Sequence, residues 1–141
     1  MKNLIKIGCV LVLGLSSNLS FAADWKYINY SDEHVYGIDI NSISQVNEYS
    51  YQKYKKAWIK NVIKNDLSKD GMTVGDYSMV LYWADCNTRT LGLKTSTSYK
   101  SNGKVIPNYS FSNSYVSMQD VIPETIGEGI IDAICGNYEY Q

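Results

Sequence analysis

The side chains that could carry out catalysis or hold a metal are few in this chain of 141 residues. It has a single histidine, His34, which falls in a polar turn segment at residues 31–34. A serine or cysteine nucleophile needs such a base beside it, but a histidine in a turn is usually only solvated. His34, Cys86 and Cys135 are also too far apart in sequence to form the clustered pattern of a zinc site. We therefore predict no enzyme, no metal and no cofactor.

Carboxylates can act in pairs, as in glycoside hydrolysis, but the sequence gives no separation for any such pair. Asp39 and Asp85 stand within strand-like runs. Aspartates in such places more often cap a turn or pair with a cation such as Arg89 than perform chemistry. The acidic side chains near the C-terminus are predicted to form a solvated helix face, and they are Glu124, Glu128 and Asp132.

Tyrosines and lysines offer a different chemistry, which is binding. The chain has 13 tyrosines and three tryptophans, and many of them fall in strand-like runs where they suit a core. Others lie in polar surroundings beside lysines. Tyrosine supplies a large contact area at little entropic cost, and lysines either protect a sheet edge or attract an acidic or sulfated partner. The predicted binding face, for a protein or glycan ligand, consists of Tyr49, Tyr51, Tyr54, Lys53, Lys55 and Lys56.

The first 22 residues predict a secretory signal peptide. Two lysines precede an apolar run at residues 7–15, and small residues stand before the expected cleavage site after Ala22. The run is too short to cross a hydrocarbon layer of about 30 Å, so a membrane anchor is not expected. Cys9 lies near the start of this run rather than at its end, so a lipoprotein is not expected either. The remaining chain, residues 23–141, is predicted to be one domain in the periplasm, on the cell surface or secreted.

Loss of two signal-peptide lysines and Cys9 would leave 11 basic residues, 14 acidic residues and two cysteines, with a formal net charge of −3. A mildly acidic protein is a poor ligand for nucleic acid, so we predict no such partner. An even number of cysteines in an exported protein predicts one disulfide, here Cys86 to Cys135. Closing so long a loop is worth about 4 kcal/mol in the chain-entropy model.

Alternating apolar and aromatic residues predict an antiparallel sheet. The strongest signal is a hairpin formed by residues 78–86 and 90–99, and in its second strand Leu91, Leu93, Thr95, Thr97 and Tyr99 are predicted to share one face. Residues 64–76 read as an exposed loop, and the Asn-Gly pair at 102–103 predicts a type I′ turn. Further strands are predicted at residues 25–30, 35–40, 45–54 and 55–63.

The only convincing helix lies within residues 121–135. Isoleucines recur there every four residues, a proline suits the first turn, and Thr125 with Glu128 could form a capping box. Gly127 and Gly129 each weaken the helix by about 1 kcal/mol relative to alanine, so we expect it to depend on docking against the sheet. The predicted fold is α+β: a single antiparallel β-sheet of about six strands, with a C-terminal α-helix packed on one face and tied by a disulfide.

Several segments, taken in order, carry a family resemblance. They are residues 36–43, 58–60, 83–90, 99–105 and 122–128. Their marks are an aspartate–cysteine pair at 85–86, Arg89 three residues later, the turn glycine Gly103, Pro123 before the helix and the last cysteine, Cys135. Together they resemble the surface-adhesin protein E family of Gram-negative bacteria. The resemblance implies the fold described above and an outer-membrane lipoprotein that binds host matrix and serum proteins. This chain departs from that pattern because it lacks a lipidation cysteine.

Two functional hypotheses follow. The first is an exported, non-catalytic binding protein that adheres to host extracellular matrix or serum proteins. The alternative is a periplasmic accessory, inhibitor or assembly protein of the cell envelope with no adhesion role. Exposed strand edges also leave pairing into a homodimer open.

Overall fold

The computed structural model describes residues 22–140 of the chain. The predicted signal peptide, residues 1–22, therefore lies outside the described residues except for Ala22. Within the described part, no helix is both long and apolar enough to cross a membrane. The elements are β1 (Trp25–Tyr30), β2 (His34–Asp39), β3 (Ser44–Gln45), β4 (Lys55–Ile63), β5 (Tyr77–Asp85), β6 (Thr90–Tyr99), β7 (Val105–Ser110), β8 (Gln119–Asp120) and α1 (Ile126–Cys135), with short 3-10 helices at Ile40–Ser42, Tyr49–Tyr51 and Asn113–Tyr115.

All the described strands belong to one antiparallel sheet. Its main order is β1-β2-β4-β5-β6-β7, while β3 pairs with β4 and β8 pairs with β6. The predicted α+β fold with a C-terminal helix is confirmed, but the sheet has eight strands rather than six. Two of the eight, β7 and β8, were not among the six predicted strands, and β3 keeps only Gln45 of the strand predicted at residues 45–54. β3 and β8 are two residues long, which is too short for alternation to reveal.

The central hairpin forms as predicted from β5 and β6, but one residue breaks its alternation. Leu81 pairs with Thr95 and Tyr82 pairs with Leu93, so Lys94 is an extra residue in β6. Such a bulge moves every following side chain to the other side of the sheet. The prediction that Leu91 and Tyr99 share a face is therefore wrong, because Leu91 lies on the side of α1 and Tyr99 on the opposite side.

The core lies between the sheet and α1. We call the side that α1 covers the helix side and the other the open side. Alternation places isoleucines of β2 and β4 on the helix side, where four residues of α1 pack on them. The buried residues of this core are Ile28, Ile38, Ala57, Ile59, Ala84, Ile130, Ile131, Ala133 and Ile134.

The C-terminal helix is fixed to the central hairpin by covalent and ionic contacts. A disulfide joins Cys86, directly after β5, to Cys135, the last residue of α1. Arg89, in the hairpin turn, places Nη1 2.8 Å from Asp132 Oδ1 and Nη2 3.6 Å from Glu128 Oε1. The acidic helix face is therefore only partly solvated, since two of its carboxylates bind this guanidinium.

The helix begins at Ile126, after Pro123, and its predicted capping box does not form. The Thr125 hydroxyl donates to the carbonyl of Ile122 at 2.7 Å. The Glu128 carboxylate accepts instead from the backbone N–H of Glu124 at 2.9 Å. Glu124 has a positive φ of 61°, which is uncommon for a residue other than glycine. The spacing of apolar residues that predicts the helix does not indicate this conformation.

Two connecting segments also differ from their predictions. Residues 45–54 do not form a strand beyond Gln45, because the N–H of Val46 bonds to the carbonyl of Tyr54 and closes a loop that contains the 3-10 helix Tyr49–Tyr51. In the turn after β6, Gly103 has a φ of 86° whereas Asn102 has no positive φ. A type I′ turn needs both, so this turn is instead a three-residue connection closed by a left-handed glycine.

The loop at residues 64–76 is largely exposed, as predicted, but it ends in a buried carboxylate. Asp76 is 1 % exposed and accepts from the backbone N–H groups of Thr73 at 2.9 Å and Ser101 at 2.8 Å. The Lys100 ammonium lies 3.0 Å away. The Thr73 bond, followed by the Lys100 contact, lowers the pKa of Asp76 to about 2, so this carboxylate holds the loop against the turn after β6 as a charged group.

Candidate functional site

The open side of the sheet carries a row of large aromatic side chains. Trp25 of β1, Trp58 of β4, Tyr77 of β5 and Tyr99 of β6 all lie on this side by strand alternation and register. Each is half-buried, with part of its ring exposed. We call these four residues the aromatic platform.

Two rings of the platform stack on each other, and three of its four residues line a recess. Tyr77 and Tyr99, which are paired across β5 and β6, stack with centroids 5.0 Å apart and planes 13° apart. The recess has a volume of about 220 Å³, and among the residues that line it are Trp25, Trp58, Thr97, Tyr99 and the acidic Asp39. Aromatic side chains such as these are enriched at protein recognition surfaces.

Gly37 keeps the open side free of bulk beside the Trp25 ring. It lies on β2, between Tyr27 of β1 and Lys60 of β4. A Cβ at this position would lie 3.2 Å from the carbonyl oxygen of Lys26 and 3.9 Å from the Trp25 ring. Because glycine has no side chain, β2 contributes no bulk to the open side here and does not crowd the backbone of β1.

Lys60 brings a positive charge into the platform. Its ammonium lies 4.3 Å from the ring centre of Tyr77 and 5.9 Å from that of Trp25. Cation–π contacts of this kind hold the side chain in place. Among residues 22–140, the ion pairs do not include one with Lys60, so its charge has no carboxylate partner in the described part of the chain.

Most of the predicted binding face lies at one end of the open side, and two of its tyrosines cover a tryptophan. Tyr51 and Tyr54 lie with their ring centres 5.3 Å and 5.7 Å from that of Trp83. Trp83 is only 3 % exposed as a result. These two tyrosines therefore mainly cover Trp83, whereas Tyr49 projects outward and is 89 % exposed.

The three predicted lysines do not act as one cluster. The Lys53 ammonium lies 4.8 Å from the ring centre of Tyr54 and 3.6 Å from Asp85, and the contact with Tyr54, ahead of that with Asp85, raises the pKa of Lys53. Register places Lys56 opposite Trp83 on the open side. Lys55 pairs with Ala84 and so lies on the helix side.

The model of the family described as surface-adhesin protein E matches residues 25–136 of the chain, which is most of its length. The chain belongs to the surface-adhesin protein E family. The resemblance inferred from the sequence is thus confirmed, and membership supports an adhesin-like binding protein.

A solved structure is also similar. It is crystal form II of Haemophilus influenzae protein E, with 13% sequence identity and a TM-score of 0.47, over 83% of this chain and 98% of that chain. Among curated protein sequences, none matches this member of the family.

The aromatic platform of this adhesin E family member was not among the predicted binding residues. Sequence reasoning assigns Trp58 and Tyr99 to a core because they stand in strands. The sequence signal that separates Trp58 from the core is its position in the strand alternation. Along β4, Trp58 and Lys60 alternate with Ala57 and Ile59, so the two pairs face opposite sides of the sheet. Only the docking of α1 on the isoleucine side decides which set stays uncovered.

Lysines stand among the aromatic residues of the open side. Lys56 and Lys60 lie on this side by register, and the Lys94 ammonium lies 5.7 Å from the ring centre of Trp83. The two sides are nevertheless mixed in charge, because Asp39 lines the recess on the open side while Lys55 and Arg89 stand on the helix side. The positive charge that belongs to the platform itself is therefore the ammonium of Lys60.

His34 and Asp39, the candidates for catalysis, make contacts with neighbouring residues of the fold. His34 begins β2, with Nδ1 3.9 Å from Glu33 and its ring centre 5.9 Å from that of Tyr36. Asp39 accepts from the backbone N–H groups of Asp24 and Asn41. In the described part of the chain, no group of three or more histidine, cysteine, aspartate or glutamate side chains is placed to hold a metal.

Asp85 caps the turn of the central hairpin. Its carboxylate accepts from the backbone N–H of Asn87 at 3.0 Å and of Thr88 at 3.3 Å. Burial raises the pKa of Asp85, but the hydrogen bonds from Thr88 and Asn87, with Lys53, outweigh burial and lower it. This aspartate is therefore a charged turn cap next to the disulfide.

Proposed function

We propose that this protein attaches to host extracellular matrix or serum proteins through the open side of its sheet, and that it does so without catalysis. The observation that carries the proposal is the aromatic platform, with the Lys60 ammonium over its rings and without a carboxylate partner among residues 22–140. Family membership supports the same direction, because the family is one of surface adhesins.

Physical arguments favour this surface over the rest of the molecule. Tyrosine and tryptophan are enriched in interfaces and dominate their energetic centres. The strands fix the backbones of the platform, and the contacts of Lys60 with Tyr77 and Trp25 restrict its side chain. Little conformational entropy is then lost on binding. The local positive charge selects an acidic segment of the partner.

A surface plasmon resonance experiment tests the proposal, with a panel of immobilised matrix and serum glycoproteins. We expect Lys60→Glu to weaken binding at least tenfold, as for a central interface residue. Lys104→Glu is the matched control, because it makes the same charge change in the exposed turn after β6. Equal binding by the two variants to a ligand that the native protein retains would refute the assignment of the open side.

Location is a second requirement of the proposal. We propose that residues 1–22 are removed on export and that residues 23–141 reach the cell surface or the medium. Protease treatment of intact cells, alongside separated periplasm, outer membrane and medium, tests this. Digestion at the surface is expected, whereas protection with recovery in the periplasm would favour the accessory role in the envelope.

A further inference from the structure

The recess on the open side is small and open to solvent. Each residue that lines it is half-buried or exposed, so each keeps some surface that a ligand can reach. Its volume of about 220 Å³ lies below the range of about 300–1,000 Å³ that is typical of sites for drug-sized molecules. The recess therefore suits a single ring rather than a long ligand.

Charged groups at the recess disfavour an ionic ligand. Aromatic rings attract cations, but Lys60 already supplies one, with its ammonium 4.3 Å from the ring centre of Tyr77 and 5.9 Å from that of Trp25. This ammonium repels a second cation. An anion instead meets the carboxylate of Asp39, which lines the recess. A neutral ligand avoids both costs.

The polar groups of the recess suit a ligand with several hydroxyl groups. Asp39 Oδ1 accepts from the backbone N–H groups of Asp24 at 3.0 Å and Asn41 at 3.1 Å, so the carboxylate is held in one orientation. Its second oxygen, Oδ2, is left to accept from a ligand. Thr97 also lines the recess, and its hydroxyl can both donate and accept.

The aromatic residues of the recess require an apolar face on the same ligand. Among the described residues, none of the lysine contacts with aromatic rings involves Trp58 or Tyr99. The face of an aromatic ring is electron-rich, so it attracts the weakly positive C–H groups of a neutral ligand. A pyranose sugar has such C–H groups on its face and hydroxyl groups around its edge. A pyranose therefore meets both requirements of the recess.

We propose that the recess binds one neutral pyranose residue of a glycan carried by the host glycoprotein. The sugar stacks on Trp58, and its hydroxyl groups bond to Asp39 and Thr97. This proposal rests on the proposed function, because it names the group that the open side recognises on its partner. Lys60 stands beside the recess and remains available for an acidic segment of the same partner.

Titration with sugars tests the site directly. The probes are the methyl glycosides of galactose, mannose and N-acetylglucosamine, which are neutral sugars of glycoprotein glycans. Each is added to the purified, nitrogen-15-labelled protein, and the indole N–H signals of its three tryptophans are followed. We expect at least one glycoside to give saturable shifts for Trp25 and Trp58 but not for Trp83, which is 3 % exposed. Sorbitol, which has hydroxyl groups but no ring, is the matched control and is expected to give no saturable shift.

Two variants locate the contacts. Thr97→Val keeps the shape of the side chain and removes its hydroxyl, and we expect it to weaken glycoside binding at least threefold. Trp58→Leu removes the stacking surface and is expected to weaken binding at least tenfold. Tyr49→Leu is the matched control, because Tyr49 is an aromatic residue that is 89 % exposed and lies away from the recess.

Binding to glycoproteins separates the sugar site from the proposed function. Surface plasmon resonance is run on the panel of matrix and serum glycoproteins before and after enzymatic removal of their glycans, with the methyl glycoside as competitor. Loss of binding after deglycosylation, together with competition, supports the sugar site. Equal binding to the deglycosylated proteins would overturn the sugar site and leave attachment through the open side intact. Saturable glycoside shifts without binding to any protein of the panel would support the sugar site and contradict the proposed function.

The absence of a saturable shift with all three glycosides would overturn the proposal. Shifts that include Trp83, or that are unchanged in both Thr97→Val and Trp58→Leu, would overturn it as well. Because valine has the shape of threonine, Thr97→Val tests the site even if Trp58→Leu does not fold.

Discussion

The two glycines of α1 provide a sharp test of how the helix docks, because alanine should stabilise one position and not the other. Both lie near the start of the helix, and replacing glycine by alanine in a helix gains about 0.5–1 kcal/mol from propensity alone. A Cβ at Gly127 would find its nearest neighbours at 3.4 Å, 3.8 Å and 4.0 Å, which are ordinary contacts. A Cβ at Gly129 would lie 3.1 Å from the Cγ2 atom of Ile28.

Ile28 decides the outcome at the second position. It is 2 % exposed and belongs to the core, so it has little room to move. Overpacking a core costs about 1–3 kcal/mol, which exceeds the gain in propensity. We therefore expect Gly127→Ala to raise the free energy of unfolding by about 0.5–1 kcal/mol and Gly129→Ala to lower it by about 1 kcal/mol.

Urea denaturation at 25 °C measures both changes, and thermal unfolding gives a second readout. For a domain of this size, 1 kcal/mol corresponds to about 4 °C in Tm. Ile28→Leu serves as the control, because leucine has no methyl branch at Cβ. In that background the cost of Gly129→Ala should largely disappear, which a double-mutant cycle detects. If Gly129→Ala is as stabilising as Gly127→Ala, the close approach of α1 to β1 is refuted.

Two further predictions concern the ties that hold loops and helix in place. Replacing Cys86 and Cys135 together by serine should lower the free energy of unfolding by about 4 kcal/mol, because the disulfide closes a loop across a sequence separation of 49. Reductant should destabilise the native protein and leave the variant unchanged. Equal urea midpoints for the native protein and the variant would contradict this prediction. Asp76 has its pKa lowered from 3.8 to about 2, so it binds its proton more readily when unfolded. Its contribution to stability is full above about pH 4 and is lost as the pH falls toward 2. Asp76→Asn should therefore be less stable than the native protein at pH 7, with a smaller fall in stability between pH 4 and pH 2; parallel pH profiles would contradict the assignment.

The overall fold could be predicted because its signals are local and repeated. Alternation over nine or ten residues defines β5 and β6, and isoleucines at four-residue spacing define α1. The family follows from the same segments in the same order. What the sequence could not give depends on single residues whose effect is set by tertiary contacts. One extra residue, Lys94, reverses the sides of half of β6, and Tyr51 leaves its predicted strand because its ring packs on Trp83.

The candidate site was predicted only in part for a related reason. An exposed aromatic residue and a buried one have the same strand propensity, so composition does not separate Trp58 from Trp83. Lysines beside tyrosines predicted a binding face within residues 49–56, where the rings of Tyr51 and Tyr54 instead cover Trp83. The platform depends on which side α1 docks and on the missing side chain of Gly37. Both facts require the assembled sheet.

The contact between the segment after α1 and the first strand has a consequence for the order of folding. The Tyr138 hydroxyl donates to the carbonyl of Ile28, a residue 110 positions earlier. During synthesis from the N-terminus, β1 therefore stays without this contact until 110 further residues have been released. Contacts of such high sequence separation make folding slow. Cys86 likewise cannot form its disulfide until Cys135, 49 residues later, has been released, so the covalent tie between the hairpin and the helix also forms late in synthesis.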